Sequence, residues 1–97
     1  MLIKFDKQAH LYWDYGDKVK ETFIESYVIA DDHVKFDYDN KPVIIWNCCT
    51  KGFVANMNQE CKYTGVRTDT ETHVVLTGNW VEESCYEGLF ILVLPKR

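Results

Sequence analysis

Cysteines and histidines are the side chains of this sequence best suited to nucleophilic or metal chemistry. They stand at Cys48, Cys49, Cys61, Cys85, His10, His33 and His73. A cysteine beside a histidine could act as a nucleophile, and four such side chains at suitable spacing could bind zinc. The sequence has no C-x-x-C pair, and the adjacent Cys48 and Cys49 would point to opposite faces of a strand. We therefore predict reduced thiols packed as small apolar side chains, with no metal and no cofactor.

A group of acidic residues near the middle of the chain begins like a calcium-binding loop. Asp37 and Asp39, with Asn40, superficially resemble the start of such a loop. The pattern then fails, because Pro42 replaces the loop glycine and Cys48 replaces the bidentate glutamate. We interpret Asp39 and Asn40 as turn residues.

No other motif of the sequence predicts catalysis. The acidic pairs at 31–32 and 82–83 are adjacent in the sequence. On a strand their side chains would point to opposite faces, so they do not suit a general acid–base pair. The sequence contains no G-x-S-x-G, P-loop, G-x-G-x-x-G or H-E-x-x-H motif. We predict that the protein is not an enzyme, and keep a small cysteine- or carboxylate-dependent enzyme as an alternative.

Aromatic residues are abundant, with three tryptophans, six tyrosines and five phenylalanines. On a strand, Trp13 would lie on one face of the segment 11–15, and Tyr12 and Asp14 on the other. Burying both faces near a chain end is difficult, so exposed rings beside carboxylates are expected, as in protein interfaces. The alternative is that Tyr12 or Trp13 packs over the end of a sheet. The predicted binding residues are Tyr12, Trp13, Asp14, Asp37, Asp39, Glu82 and Glu83.

Length and charge limit the class of protein. The 97 residues predict one globular domain, 1–97. Fifteen acidic and eleven basic residues give a net charge of −4, which argues against direct binding of nucleic acid. The charged N-terminal stretch does not resemble a signal peptide, and no apolar run approaches the roughly 18 residues of a membrane span. We therefore predict a cytoplasmic protein with no membrane partner.

The segment 89–94 is predicted to form a central strand of the fold. It is a run of six apolar residues stopped by Pro95, and its β-branched and aromatic members favour a strand buried on both faces. Gly16-Asp17 suits a tight hairpin turn, and Gly65 and Gly78 are predicted bulge positions. The predicted strands cover residues 2–5, 11–15, 19–29, 33–38, 43–49, 53–57, 61–67, 72–81 and 89–94.

This spacing predicts an all-β fold, a small antiparallel meander or up-and-down barrel of about seven to nine short strands. At most one or two short helices are expected, at 19–27 or 82–86. Valines and aromatics at helical spacing make 19–27 the stronger of the two. A helix there would change the fold class to α+β, which we keep as the alternative.

The predicted function is that of a small acidic module that binds another protein without catalysis. An inhibitor or immunity-type protein of the kind that phages and plasmids encode fits the size and charge, by analogy. It would occlude a basic partner that itself binds nucleic acid. The alternative is a β-barrel that encloses a small apolar ligand, lined by Trp46, Phe53 and Trp80.

Overall fold

The computed structural model describes residues 3–38, 41–48, 52–56, 61–82 and 87–96. Within these ranges the chain forms nine β-strands and no helix. No apolar helix of membrane-spanning length occurs in them. The strands are β1 (Ala9–Tyr15), β2 (Lys18–Ile24), β3 (Tyr27–Ile29), β4 (His33–Tyr38), β5 (Lys41–Cys48), β6 (Gly52–Asn56), β7 (Cys61–Asp69), β8 (His73–Glu82) and β9 (Glu87–Pro95).

The strands form one antiparallel sheet in the order β2-β1-β9-β8-β7-β6-β5-β4-β3. From β3 to β9 each strand pairs with the next, so the prediction of an all-β antiparallel meander is confirmed. The edge strands β2 and β3 follow each other in the chain, separated only by Glu25 and Ser26. No described ladder joins these two edges, so the sheet is not a closed barrel.

The α+β alternative is wrong, because the segment predicted as a possible helix forms β2 and the start of β3. A two-residue loop with Gly16 at φ +65° pairs Tyr15 with Lys18 and starts β2 as the return strand of a hairpin. Val19 and Phe23, which would have formed the buried stripe of a helix, are exposed. Of the second possible helix, residues 83–86 lie outside the described residues.

The sheet curls so that its two halves face each other across one core. The Trp13 ring of β1 meets the Tyr38 ring of β4 edge-on, with centroids 5.8 Å apart. The Tyr27 hydroxyl of β3 donates to the backbone oxygen of Pro95 in β9 at 2.7 Å. The first contact joins two strands that lie next to opposite edges of the sheet, and the second joins the edge strand β3 to β9. The fully buried side chains are Phe36, Phe90, Ile45, Leu76, Leu92, Leu94, His10, Val34, Val43, Val74 and Val93.

β9 is an interior strand of the sheet, paired with β1 and β8 on its two sides, but its burial is uneven. Leu92 points into the core and Val93 lies on the opposite, outer face, and both are fully buried. Leu89 is 60% exposed, so the prediction that it is buried is wrong. The N-terminal segment covers the outer face around Val93 and not around Leu89.

Gly65 and Gly78 lie directly opposite each other in β7 and β8. The ladder between these strands is unbroken from Cys61 to Asp69, so the prediction of bulges is wrong. A Cβ added to Gly65 would lie 2.7 Å from the Gly78 Cα and would clash with the backbone oxygen of Thr77. Both positions need glycine because the two backbones approach too closely for a side chain.

Candidate functional site

The N-terminal arm, which we define as residues 3–8, lies on the outer face of the sheet. The predicted strand at 2–5 is wrong for residues 3–5, which are not extended against a neighbour. The Lys4 amide donates to the Tyr12 hydroxyl at 3.1 Å, and His73 Nε2 donates to the Asp6 backbone oxygen at 2.8 Å. The Phe5 ring packs edge-on against His73 at 5.6 Å. The arm thus contacts β1 and β8 on either side of β9.

Tyr12 lies beneath this arm and is only 3% exposed. The expectation that Tyr12 is an exposed ring is therefore wrong. Burial of its hydroxyl raises the pKa of Tyr12 above its ordinary value. The outer face of β1 is covered by the arm, which sequence periodicity could not show.

His10 is the most chemically distinctive residue beneath the arm, because it is fully buried between two carboxylates. Nε2 lies 2.8 Å from Asp6 Oδ1 in a hydrogen bond. Nδ1 lies 2.9 Å from Glu21 Oε2, a contact of ion-pair distance whose angles fall outside hydrogen-bond geometry. The ring also stacks on Tyr12 at 5.8 Å and packs against Phe23 at 5.0 Å. With both nitrogens facing carboxylates inside the protein, His10 is placed to hold the arm rather than to meet a substrate.

The hydrogen bonds of Asp6 predict that the stability of the fold decreases in acid. The hydrogen bond from the Gln8 amide at 2.9 Å, and then that from His10, lower the pKa of Asp6 below its ordinary value. A carboxyl pKa that is lower in the folded state stabilises the fold above its unfolded pKa, and this stabilisation is lost as pH falls through the folded pKa. An NMR titration of the Asp6 carboxyl carbon should show a midpoint below about 3.9, the usual value for aspartate.

The variant His10→Gln provides the control for this titration. It should move the Asp6 midpoint only part of the way back, because the larger contribution comes from the Gln8 amide. A midpoint at or above the usual value in the wild-type protein would contradict the observed hydrogen bonds.

The predicted binding residues do not form one exposed surface. Trp13 is half-buried and packs against the core. Asp14 is half-buried, and its Oδ1 accepts a hydrogen bond from the Leu89 amide at 2.6 Å. Glu82, at the end of β8, is also half-buried. Only Asp37 of the described members is fully accessible, and Asp39 and Glu83 lie outside the described residues.

Besides Phe5 and Phe23, whose rings contact His73 and His10 at the arm, an exposed aromatic side chain lies on β5, at a tryptophan that was predicted to line the inside of a barrel. Val43 and Ile45 are buried, so the alternation of the strand turns Trp46 outward, where it is 46% exposed. Its ring packs against that of His33, its partner in β4, with centroids 4.6 Å apart. The alternation of side-chain direction along β5 could have placed Trp46 on the outer face. Because residues 43–46 are all apolar, the sequence did not show which of them face outward.

The outward position of Trp46 also corrects the predicted lining of a ligand cavity. Trp46 cannot line the interior, and Trp80 is buried as part of the core. The side chain of Phe53 lies outside the described residues.

The surface that we call the Trp46 face comprises Val28, His33 and Trp46. Asp31 and Asp32 border it beside His33, and Asp37 lies toward the other end of β4, opposite Pro42. Val28 is exposed on the edge strand β3. His33 Nδ1 donates to Asp32 Oδ1 at 2.8 Å, and this hydrogen bond lowers the pKa of Asp32. Lys35 is the cation on the same face, opposite Val28 in the ladder. Among the described side chains, β3, β4 and the turn between them carry these three exposed carboxylates and Lys35. The Arg67 guanidinium also lies beside the turn, where it donates to the Ala30 backbone oxygen at 2.8 Å.

The described residues contain no group of three metal-ligating side chains that could hold an ion. The side chains of Cys48 and Cys61, together with Cys49 and Cys85, lie outside the described residues. The prediction of reduced, metal-free thiols stays a prediction.

Comparisons of the chain with protein-family models, with curated proteins and with solved structures find no match. The Trp46 face and the buried His10 have to be interpreted from their own chemistry.

Proposed function

We propose that the protein is a non-enzymatic protein-binding module whose partner is basic and docks on the Trp46 face. The observation that carries this proposal is the half-exposed Trp46 ring, which packs against His33, whose Nδ1 donates to the exposed Asp32 carboxylate. A large ring exposed at a sheet surface is costly to leave in water, and tryptophan is the side chain most enriched among residues that dominate binding energy.

The charges around the ring support a basic partner. Asp31, Asp32 and Asp37 are exposed, and the hydrogen bond from His33 lowers the pKa of Asp32. The net charge of −4 adds a long-range attraction for cationic surfaces. Such charges chiefly raise the association rate, and the ring slows dissociation. Added salt should therefore weaken the complex, because exposed charges are screened within about 8 Å at physiological ionic strength.

We further propose that the module is an inhibitor that resides in the cytoplasm and occludes a nucleic-acid-binding surface of its partner. A carboxylate-bordered face is suited to cover a surface that otherwise contacts phosphates. If so, adding the protein should displace labelled nucleic acid from the partner. If the complex forms while the nucleic acid stays bound to the partner, the protein binds the partner but does not occlude its nucleic-acid-binding surface.

Affinity capture from the source cells tests the docking surface. Wild-type protein, Trp46→Ala and Val66→Ala are immobilised, and retained proteins are identified by mass spectrometry. Val66 is the matched control, because it is an exposed apolar residue on β7, away from the Trp46 face. We expect one basic protein to be retained by the wild type and Val66→Ala and lost from Trp46→Ala. Equal retention by all three proteins would overturn the proposed site.

A further inference from the structure

We propose that the N-terminal arm is a proton-controlled strap, held down by a charged His10 and released when His10 loses its second ring proton. This inference goes beyond the proposed docking function and rests on a different surface, the outer face of β1, β8 and β9. It would make coverage of Tyr12 and the surrounding sheet depend on pH.

The chemistry of the two partners of His10 carries the inference. Asp6 Oδ1 and Glu21 Oε2, at 2.8 Å and 2.9 Å from the two ring nitrogens, are carboxylate oxygens that can only accept. An imidazolium has an N–H at both nitrogens, so it donates a hydrogen bond to Asp6 and forms an ion pair with Glu21. A neutral imidazole has one N–H, so its other nitrogen would direct a lone pair at a carboxylate. Loss of one proton therefore leaves the two carboxylates, which are 49% and 32% exposed, without a positive charge between them at the buried ring.

Glu21 belongs to β2, whereas Asp6 belongs to the arm, and this difference decides which contact breaks. The backbone of Glu21 is fixed by the ladder with β1, where it lies opposite Tyr12. Asp6 is held by the few polar contacts of an arm without a ladder of its own. When the site becomes doubly negative, we expect the arm to leave and β2 to stay.

Among the other groups that face His10, Tyr12 also reaches Glu21 through its hydroxyl, and burial of the hydroxyl and this contact raise the pKa of Tyr12. Tyr12 on β1 and Phe23 on β2 contact His10 through their rings, and Val93 is its apolar partner on β9. The remaining charged groups of the arm, Lys4 and Lys7, are exposed.

His73, the second buried histidine under the arm, provides an internal contrast. Its Nε2 donates to the Asp6 backbone oxygen, and its Nδ1 lies 2.8 Å from the Thr72 hydroxyl. A hydroxyl can donate or accept, so a neutral His73 satisfies both contacts. His73 should hold the arm equally well before and after it loses a proton.

The heteronuclear ¹⁵N NOE of the arm amides, followed from about pH 5 to about pH 9, tests the strap across the range in which histidine normally titrates. In the wild-type protein we expect rigid amides for Lys4 and Gln8 at the acidic end, and a fall to values of a flexible chain as His10 deprotonates. The His10 ring resonances, recorded in the same samples, should change over the same pH interval.

Three variants separate the strap from a merely structural role. His10→Gln and Glu21→Gln should abolish the pH response of the arm, the second because a glutamine amide can donate to a neutral His10. His73→Gln should keep the response. Glu21 is partly exposed, so the Glu21→Gln protein remains informative if loss of the buried ring unfolds the His10→Gln protein. A wild-type arm that is equally rigid at both ends, or a response that persists in Glu21→Gln, would overturn the proposal.

Discussion

Replacing Leu92 by alanine is expected to lower the free energy of unfolding by about 2–5 kcal/mol. Leu92 is fully buried at the centre of β9, where it lies between Leu11 of β1 and Leu76 of β8. Removing its side chain leaves a cavity that the neighbouring strands cannot fill without disturbing their ladders. Against a total stability of about 5–15 kcal/mol, this is a large fraction. Urea unfolding followed by tryptophan fluorescence measures the difference.

The matched control lies on the same strand. Leu89 is an equally large side chain but is 60% exposed, so Leu89→Ala should change stability by no more than about 0.5 kcal/mol. A loss below about 1 kcal/mol for Leu92→Ala, or equal losses for the two variants, would show that β9 is not the centre of the core.

Replacing Gly65 by alanine should cost about 3 kcal/mol, at the upper end of the usual range for overpacking. The new Cβ would meet the Thr77 backbone oxygen and lie 2.7 Å from the Gly78 Cα. Because these obstacles are backbone atoms of the paired strand, no side-chain rotation relieves the clash. The ladder between β7 and β8 would have to open locally. Thermal unfolding followed by circular dichroism measures how far the unfolding midpoint of Gly65→Ala lies below that of the wild type.

Thr64→Ala is the control for this experiment, because Thr64 is the exposed neighbour of Gly65 on the outer face. It should alter the midpoint little. A Gly65→Ala protein as stable as Thr64→Ala would mean that the two backbones do not approach as closely as the structure shows.

Much of the strand pattern could be predicted from local residue periodicity. The segment 33–38 alternates between apolar and polar residues and forms β4 with the predicted bounds, since each side of a strand meets one environment. The Gly16-Asp17 hairpin also formed as predicted, because its turn chemistry is local. Gly65 and Gly78 were assigned to bulges because the sequence does not reveal that they face each other across a ladder.

The candidate sites were harder to predict because they depend on contacts between distant parts of the chain. Burial of Tyr12 and His10 requires the N-terminal arm, which is fixed in part by an Asp6–His73 contact between residues 67 positions apart. Trp46 follows three apolar residues, so composition alone predicted that its side chain lies in the core. Only the known direction of Val43 and Ile45 shows that it faces outward.

The most direct test of the docking surface is the equilibrium affinity of the captured basic partner, measured by isothermal titration calorimetry. Trp46→Ala should weaken binding by at least about 2 kcal/mol, which is roughly a 30-fold rise in Kd. Val66→Ala should leave Kd within about twofold of the wild type. If Trp46→Ala binds as tightly as Val66→Ala, the Trp46 face is not the surface through which this protein acts.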